Sequence, residues 1–359
     1  MKYRTATILA EESATTPATK TIDLDLVNPV SKLQIVFKPT NSNQTLIGHP
    51  ALCLTKVEVV DGSEVIFSAS GKELRAAAYY GRGKDFIDVL DYNISSECMF
   101  EAPIYFGRYL NDPELALDPS RFRNLQLKIT HNLALGGATP TTATLAVFAS
   151  LFDEKVITPR GCLMTKEIFS YLPVANEHKY VDLPTDHPYR LILVGGDSAG
   201  KMPMWRMKQL KLSEDHDRKL PLPATDVDDL LQGVLEMFPP IEDHIIAQIE
   251  TTGTVLYMTA GYEGSAVGSS YGGTEKAIGF GNGGGGTITG YSESATTFWA
   301  HTKGWCPHNF VALPLGDKND LADLYDVREL KNLRLDVLAD SSPGTSDKIE
   351  VVTQQVRDY

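Results

Sequence analysis

The sequence contains an internal repeat in which residue n matches residue n + 208. Each copy reads as a strand, an Asn-Asp loop, a turn ending in Asp and an alternating strand, and the register holds for about 30 residues without a gap. The matched pairs are Cys98 with Cys306, Asn111-Asp112 with Asn319-Asp320, Asp118 with Asp326, Asn124–Leu127 with Asn332–Leu335 and Ile129 with Val337. The repeat predicts two tandem copies of one fold. The alternative is two unrelated β-domains that share turn chemistry.

A weaker match links the front ends of the two copies. Pro29–Val36 aligns with His187–Val194, which pairs Leu33 with Leu191. In each copy an alternating strand and then a single helix follow. The same order of elements in both halves supports the duplication.

Short alternating segments separated by turn residues dominate both halves, which is typical of sandwiches or barrels and not of an α/β enzyme. Two segments have helical spacing. One is Lys72–Tyr80 with Ser70 as its N-cap, and the other is Asp226–Phe238 with acidic residues in its first turn. We therefore predict an all-β fold of two tandem sandwiches with one short helix in each.

The predicted boundaries follow changes in composition. Residues 1–20 are expected to form an N-terminal arm, because Glu11–Lys20 is rich in Thr, Ala and Pro and has no periodicity. Residues 21–160 form the first sandwich and residues 161–359 the second. Within the second, residues 261–290 contain twelve glycines and are predicted to be a surface loop.

Composition excludes several classes of function. The chain has 359 residues, with 33 Lys or Arg against 46 Asp or Glu, and a formal charge of −13. Because affinity for nucleic acid depends largely on basic residues, direct genome binding is not expected. The four cysteines are widely spaced, which predicts neither a disulfide framework nor a zinc site. No apolar run is long enough for a membrane span or a signal peptide.

Several segments invite a chemical interpretation, but none fits a site type. The sequence Gly195–Met202 nearly matches the motif of a phosphate-binding loop. Met202, however, stands where that motif needs Ser or Thr to bind Mg²⁺, so we predict a turn between two strands. The histidines form no metal-binding pattern, and the acidic clusters fit a helix start and a loop. The other residues considered are His301, Trp305, Cys306, His308, Asp226, Asp228, Asp229, Asp317, Asn319, Asp320 and Asp323. We predict no catalytic, cofactor-binding or metal-binding residue and no enzymatic activity.

The order of elements resembles the double jelly-roll major capsid proteins of tailless icosahedral viruses, particularly membrane-containing bacteriophages. The resemblance covers most of the chain as a pattern of order and spacing, and the Gly-rich segment 261–290 departs from it. The residues that carry it are Leu54–Leu74 (LTKVEVVDGSEVIFSASGKEL), Ala77–Tyr80, Tyr189–Val194 and the two Asn-Leu-x-Leu strands.

The resemblance implies two upright jelly rolls per subunit, homotrimers with a pseudo-hexagonal outline, and an icosahedral shell tiled by them. It implies a protein of the virion shell, made in the host cytoplasm, that needs no cofactor. The expected partners are neighbouring copies and penton or minor capsid proteins, without direct nucleic-acid contact. The arm, with Lys2 and Arg4, becomes a candidate contact for an internal viral membrane, unless it is a disordered tail.

Two other classes of protein remain as alternatives. A receptor- or carbohydrate-binding β-sandwich, such as a spike or lectin-like module, would bind glycans and not tile. A two-domain cupin or glycoside-processing enzyme would place a metal or a carboxylate pair inside a roll.

Overall fold

The computed structural model describes residues 2–83, 88–249, 253–270, 278–292 and 296–359. The first sandwich consists of one sheet in the order β1-β9-β3-β7 and a second in the order β2-β8-β4-β5. Its strands are β1 (Tyr3–Ser13), β2 (Ala18–Asp23), β3 (Val30–Asn41), β4 (Leu54–Asp61), β5 (Glu64–Ala69), β7 (Phe100–Tyr105), β8 (Leu125–His131) and β9 (Pro140–Phe152). Helix α1 (Gly71–Arg82) and strand β6 (Val89–Asp91) lie between β5 and β7.

The second sandwich repeats this arrangement. Its sheets have the orders β10-β23-β12-β21 and β11-β22-β13-β14. Its strands are β10 (Gly161–Tyr171), β11 (His178–Leu183), β12 (Tyr189–Gly195), β13 (Met207–Glu214), β14 (Lys219–Asp226), β21 (Val311–Ala312), β22 (Leu333–Ala339) and β23 (Ile349–Asp358). Eight strands in two four-stranded sheets with this order form a jelly roll, and the described chain contains two of them. The predicted all-β duplication is confirmed.

The structure fixes the register of the repeat. Strands β8 and β22 both begin and end 208 residues apart, as the sequence predicted. At the front end the predicted register is wrong by one residue. Val30 and Tyr189 occupy equivalent places, because each bridges a matching loop residue, Leu117 or Tyr325, and a β-bulge follows each. Every residue of β12 is buried, so its apolar pattern has no alternation that could fix the register.

Both predicted helices are confirmed. Ser70 caps α1, and the Glu73 side chain returns a hydrogen bond to the Ser70 backbone N–H, which completes a capping box. Helix α3 (Val227–Met237) follows β14 in the second roll. A third helix, α2 (Pro203–Arg206), corrects the expectation that a plain turn joins β12 to β13. Proline is favoured in the first turn of a helix, and β13 ends this one after four residues.

The Gly-rich segment is not a loop in its described parts, so that prediction is wrong there. Residues 271–277 of it lie outside the described residues. The rest belongs to a strand-rich layer, called here the upper layer, which is inserted between α3 and β21 and gains β6 of the first half as an edge strand. A Cβ built on Gly264 would lie 2.8 Å from Cζ3 of Trp305, so a close approach explains this glycine. The strands of the upper layer are β15 (Ile241–Ile249), β16 (Thr254–Tyr257), β17 (Ala260–Ser270), β18 (Ile278–Gly284), β19 (Thr287–Ser292), β20 (Thr296–Pro307) and β6.

The predicted N-terminal arm is also wrong, because most of it belongs to the first roll. Strand β1 pairs antiparallel with β9 from Tyr3 to Ser13, and β2 pairs with β8. Its Thr- and Ala-rich composition suggested an arm, but a strand with one solvent-facing side accepts such residues. Between the rolls, residues 153–160 connect β9 to β10.

Equivalent core residues allow a test of the duplication. Leu127 and Leu335 are both fully buried, in the cores of the first and second roll. We expect Leu127→Ala and Leu335→Ala each to lower the free energy of unfolding by about 2–5 kcal/mol, because each leaves a cavity. Denaturant unfolding measures both, with Leu172→Ala as the control because that side chain is 54% exposed. A loss below about 1 kcal/mol for either core variant would contradict the assigned packing.

Candidate functional site

The two rolls meet where α1 of the first roll lies against β12 of the second. Arg190 of β12 is 2% exposed, and its guanidinium donates to the carbonyl oxygens of Gly81 at 2.8 Å and Lys318 at 2.9 Å. It also donates to Gln354 of β23. Gly81 lies in the last turn of α1, where carbonyl groups lack helical partners and the helix dipole favours a cation. Burial lowers the pKa of Arg190 to about 10, so it remains charged at neutral pH.

Further hydrogen bonds join α1 to the second roll. The Lys318 ammonium donates to the Tyr80 carbonyl at 2.6 Å, and the Tyr80 hydroxyl donates to the Phe310 carbonyl at 2.8 Å. The Lys318 Nζ atom also lies 4.4 Å from the centroid of the Phe238 ring. Both ends of the Tyr80 residue are therefore bonded across the seam.

The duplicated Asn-Asp loops touch each other at the same seam. Arg108 forms an ion pair with Asp112, at 2.7 Å from Nε to Oδ2, and donates from Nη1 to the Asn319 carbonyl at 3.0 Å. Burial alone would raise the pKa of Asp112, but the bonds from Arg108 lower it. The loop of the first roll thus holds the matching loop of the second.

A backbone bridge completes the seam. Strand β5, at the edge of a first-roll sheet, runs parallel to β10, at the edge of a second-roll sheet, and Lys166 pairs with Ser68. The two sheets become one eight-stranded sheet, β2-β8-β4-β5-β10-β23-β12-β21. The rolls are therefore joined by side chains and by backbone.

Removal of Arg190 should weaken the seam. We expect Arg190→Ala to lower the free energy of unfolding by about 3 kcal/mol, because buried carbonyl groups of Gly81 and Lys318 lose their donor. Arg328→Ala is the control, since Arg328 pairs with Asp326 on the surface and its side chain is 52% exposed. Chemical denaturation measures both variants. Equal, small losses would show that the buried guanidinium does not hold the rolls together.

A buried polar cluster lies where the first roll, the second roll and the upper layer meet. His49 Nδ1 accepts from the Ala51 N–H, so His49 Nε2 carries the proton that reaches Thr259 Oγ1 at 3.3 Å. The Thr259 hydroxyl donates to Asp243 at 3.0 Å. On the other side, His308 Nδ1 lies 3.0 Å from Asp197. The rings of His49 and His308 are 4.8 Å apart between centroids.

Burial sets the charge states in this cluster. Burial and the nearby charges of His308 and Arg75 hold the pKa of His49 well below its usual value, so His49 is neutral. Burial also raises the pKa of Asp243. For Asp197 burial acts in the same direction, but the charge and hydrogen bond of His308 outweigh it and lower the pKa. The cluster joins three parts of the molecule through directed hydrogen bonds, although His308 Nε2 and Asp197 Oδ1 are buried without a hydrogen-bond partner.

Acid should destabilise the fold through His49. Below pH 6.5 the unfolded chain protonates this histidine while the folded chain does not, so stability falls as the pH falls. We expect the wild type to lose up to about 1.4 kcal/mol per pH unit more than His49→Gln between pH 6.5 and 5. Urea unfolding across that range measures how the free energy of unfolding changes with pH. His216→Gln is the control, because it also removes a histidine but at an exposed position. Parallel slopes for wild type and His49→Gln would contradict a buried neutral His49.

The residues considered for chemistry lie apart in the structure. His301 stacks on His244 in the upper layer and lies 3.6 Å from Glu242, whereas His308 belongs to the buried cluster. Trp305 donates from Nε1 to the Phe238 carbonyl at 3.2 Å. Cys306 is buried, and burial raises the pKa of its thiol to about 12. Cys53, Cys98 and Cys162 are buried too, so none of the four is placed as a thiolate nucleophile.

The acidic clusters and the Gly-rich turn have local partners. Asp226 is at the N-cap position of α3 and accepts a hydrogen bond from Gln209 at 2.6 Å, and Asp228 and Asp229 lie in the first turn, where the helix dipole favours acidic residues. Asp323 accepts from the Asp317 N–H at 2.6 Å, and Asp320 accepts from the Ala322 N–H. Within Gly195–Met202, Asp197 pairs with His308, and the Gly196 carbonyl accepts a hydrogen bond from Arg206. These side chains stabilise turns of the fold.

Two general findings concern the described residues. No helix among them is both long and apolar enough to cross a membrane. No group of three or more His, Cys, Asp or Glu side chains among them is placed to hold a metal ion.

Sequence comparison and structure comparison give different results. No family model and no curated protein matches the sequence. Among solved structures, the crystal structure of the major capsid protein of STIV, Sulfolobus Turreted Icosahedral Virus, aligns with a TM-score of 0.59 at 10% identity. It covers 99% of this chain and 97% of that chain. The major capsid protein P2 from bacteriophage PM2 aligns with a TM-score of 0.55 at 11% identity, over 99% of this chain and 98% of that chain.

A third match is the PBCV-1 virus capsid, with a TM-score of 0.51 at 9% identity over 99% of this chain and 93% of that chain. The chain has a double jelly-roll fold. Each alignment spans nearly the whole of both chains, so the shared fold extends over both rolls and over the seam between them.

Proposed function

We propose that this chain is a viral major capsid protein, a structural subunit without catalytic activity. The observation that carries the proposal is the tandem pair of equivalent rolls, joined rigidly through Arg190 and the shared eight-stranded sheet. Three such chains would supply six similar rolls, which suit a pseudo-hexagonal capsomer that tiles an icosahedral shell. The fold shared with solved major capsid proteins over 99% of the chain supports the same role.

The partners follow from that role. Neighbouring copies of the chain come first, with penton or minor capsid proteins where the lattice needs other contacts. The charge of −13 suits a shell that does not touch nucleic acid directly. Residues 3–13 are bound in the first roll as β1, so we do not assign a membrane contact to them. The chain would act in the virion shell after synthesis in the host cytoplasm.

Particle shape and mass test this role. We expect the purified chain to form trimers by light scattering and to show a hexagonal outline in negative-stain electron microscopy, because six equivalent rolls are arranged around one axis. A stable monomer that binds or hydrolyses glycans would contradict the proposal and favour a receptor- or carbohydrate-binding sandwich.

A further inference from the structure

The first roll has a groove between α1 and the outer face of β7, and the second roll fills it. Leu74, Ala77 and Gly81 line the helix side. Thr165, Arg190 and Gln354, from the β10-β23-β12 face of the second roll, occupy the groove. Only a cavity of about 20 Å³ remains.

The second roll has the same groove between α3 and residues 312–318, and it is open. The residues of α1 and α3 that line the two grooves are 156 positions apart in the sequence. Leu230, Gly233 and Met237 of α3 therefore correspond to Leu74, Ala77 and Gly81 of α1. Opposite the helix, the 208-residue offset places Leu315 where Gly107 stands in the first roll. The volume is about 640 Å³. In one chain, therefore, one groove is filled and its equivalent is empty.

The surface of the open groove is apolar. Met237 is 64% exposed, and Leu230, Phe238 and Leu315 are only partly buried. Within α1, by contrast, nearly every residue is buried, while α3 buries only Val227, Leu231 and Val234. An apolar groove of this size on a folded chain indicates a contact surface.

The sheet edges show the same asymmetry. At the seam, the β5 edge of the first roll pairs with the β10 edge of the second. Their equivalents, β14 and β1, are both edge strands within the described chain. Pro221 and Pro223 of β14 lack backbone N–H groups and so prevent a long ladder with an incoming strand, which limits this edge to a short bridge like the Lys166–Ser68 pair at the seam.

We propose that the open groove holds the first roll of a second copy of this chain, in the way that the closed groove holds the second roll of its own chain. This inference rests on the proposed capsid function and assigns its subunit contact. The β1-β9-β3 face of the incoming roll lies on α3, and β1 lies beside β14. Such a contact joins unlike surfaces, so successive copies form a ring when the rotation closes.

The β-bulges after Val30 and Tyr189 identify which residues face each other across the proposed contact. Because Val30 is equivalent to Tyr189, Lys32 is equivalent to Leu191. Leu191 Cδ1 lies 3.9 Å from a Cβ built on Gly81, and Met237 takes the place of Gly81. Lys32 of the second copy therefore lies next to Met237. The charges are complementary, because Asp229 and Asp317 line the groove and are exposed, whereas Lys318, which also lines it, is bonded to the Tyr80 carbonyl.

Substitution of Met237 tests this contact in the full-length chain. Met237→Arg places a cation beside Lys32 of the next copy, and we expect it to raise the dissociation constant of the trimer at least tenfold. Its melting temperature should stay within a few degrees of wild type, since the side chain is exposed. Val174→Arg is the matched control, because Val174 is 57% exposed and lies away from the groove. Light scattering over a concentration series gives the masses.

The double variant Met237→Arg with Lys32→Glu identifies the partner surface. We expect it to recover most of the trimer lost in Met237→Arg, because an attractive pair replaces the repulsive one. Trimers of wild-type stability in Met237→Arg would overturn the groove contact and leave the capsid role intact. A wild-type chain that stays monomeric at millimolar concentration would instead overturn the capsid role, and the contact with it.

Discussion

A guanidinium buried against the carboxyl end of a helix is the interaction on which the double roll depends. Arg190 contributes a full charge to a site where α1 presents carbonyl groups without helical partners. A single jelly roll needs no such group, since its two sheets already bury their own apolar faces. The cost of burying this charge is offset by its hydrogen bonds to Gly81, Lys318 and Gln354. These directed bonds favour one arrangement of the two rolls.

The polar cluster serves a similar purpose where the upper layer joins the rolls. His49 comes from the first roll, His308 from the second, and Thr259 from the upper layer. A purely apolar junction would permit small rotations, because apolar contacts have no preferred direction. Hydrogen bonds have directions, so the bonds that this cluster makes favour one relative orientation of the three parts. The same network makes the orientation sensitive to acid, since His49 is buried without charge.

The sequence predicted correctly the elements that have a regular local pattern of apolar or capping residues. Strands β8 and β22 alternate, so their 208-residue offset was visible, and Ser70 as an N-cap predicted the start of α1. Strand β12 is buried on both faces, so periodicity left its register ambiguous by one residue. The seam and the cluster join residues more than 100 positions apart, and no local pattern marks such contacts. One signal was available: Arg190 is a charged residue within an otherwise apolar strand.

The grooves of α1 and α3 differ at the position that faces the roll packed against the helix. Gly81 leaves room for the Arg190 side chain, whereas its equivalent Met237 would occupy that room. The bulge residue equivalent to Arg190 in the first roll is the much smaller Ser31. A second roll placed in the groove of α3 would therefore meet Met237 with Arg190, and the guanidinium would lose its place at the helix end. In the proposed contact between copies, divergence of the duplicated rolls would therefore discriminate against the wrong roll, because mismatched faces leave a charge unpaired or a side chain without space.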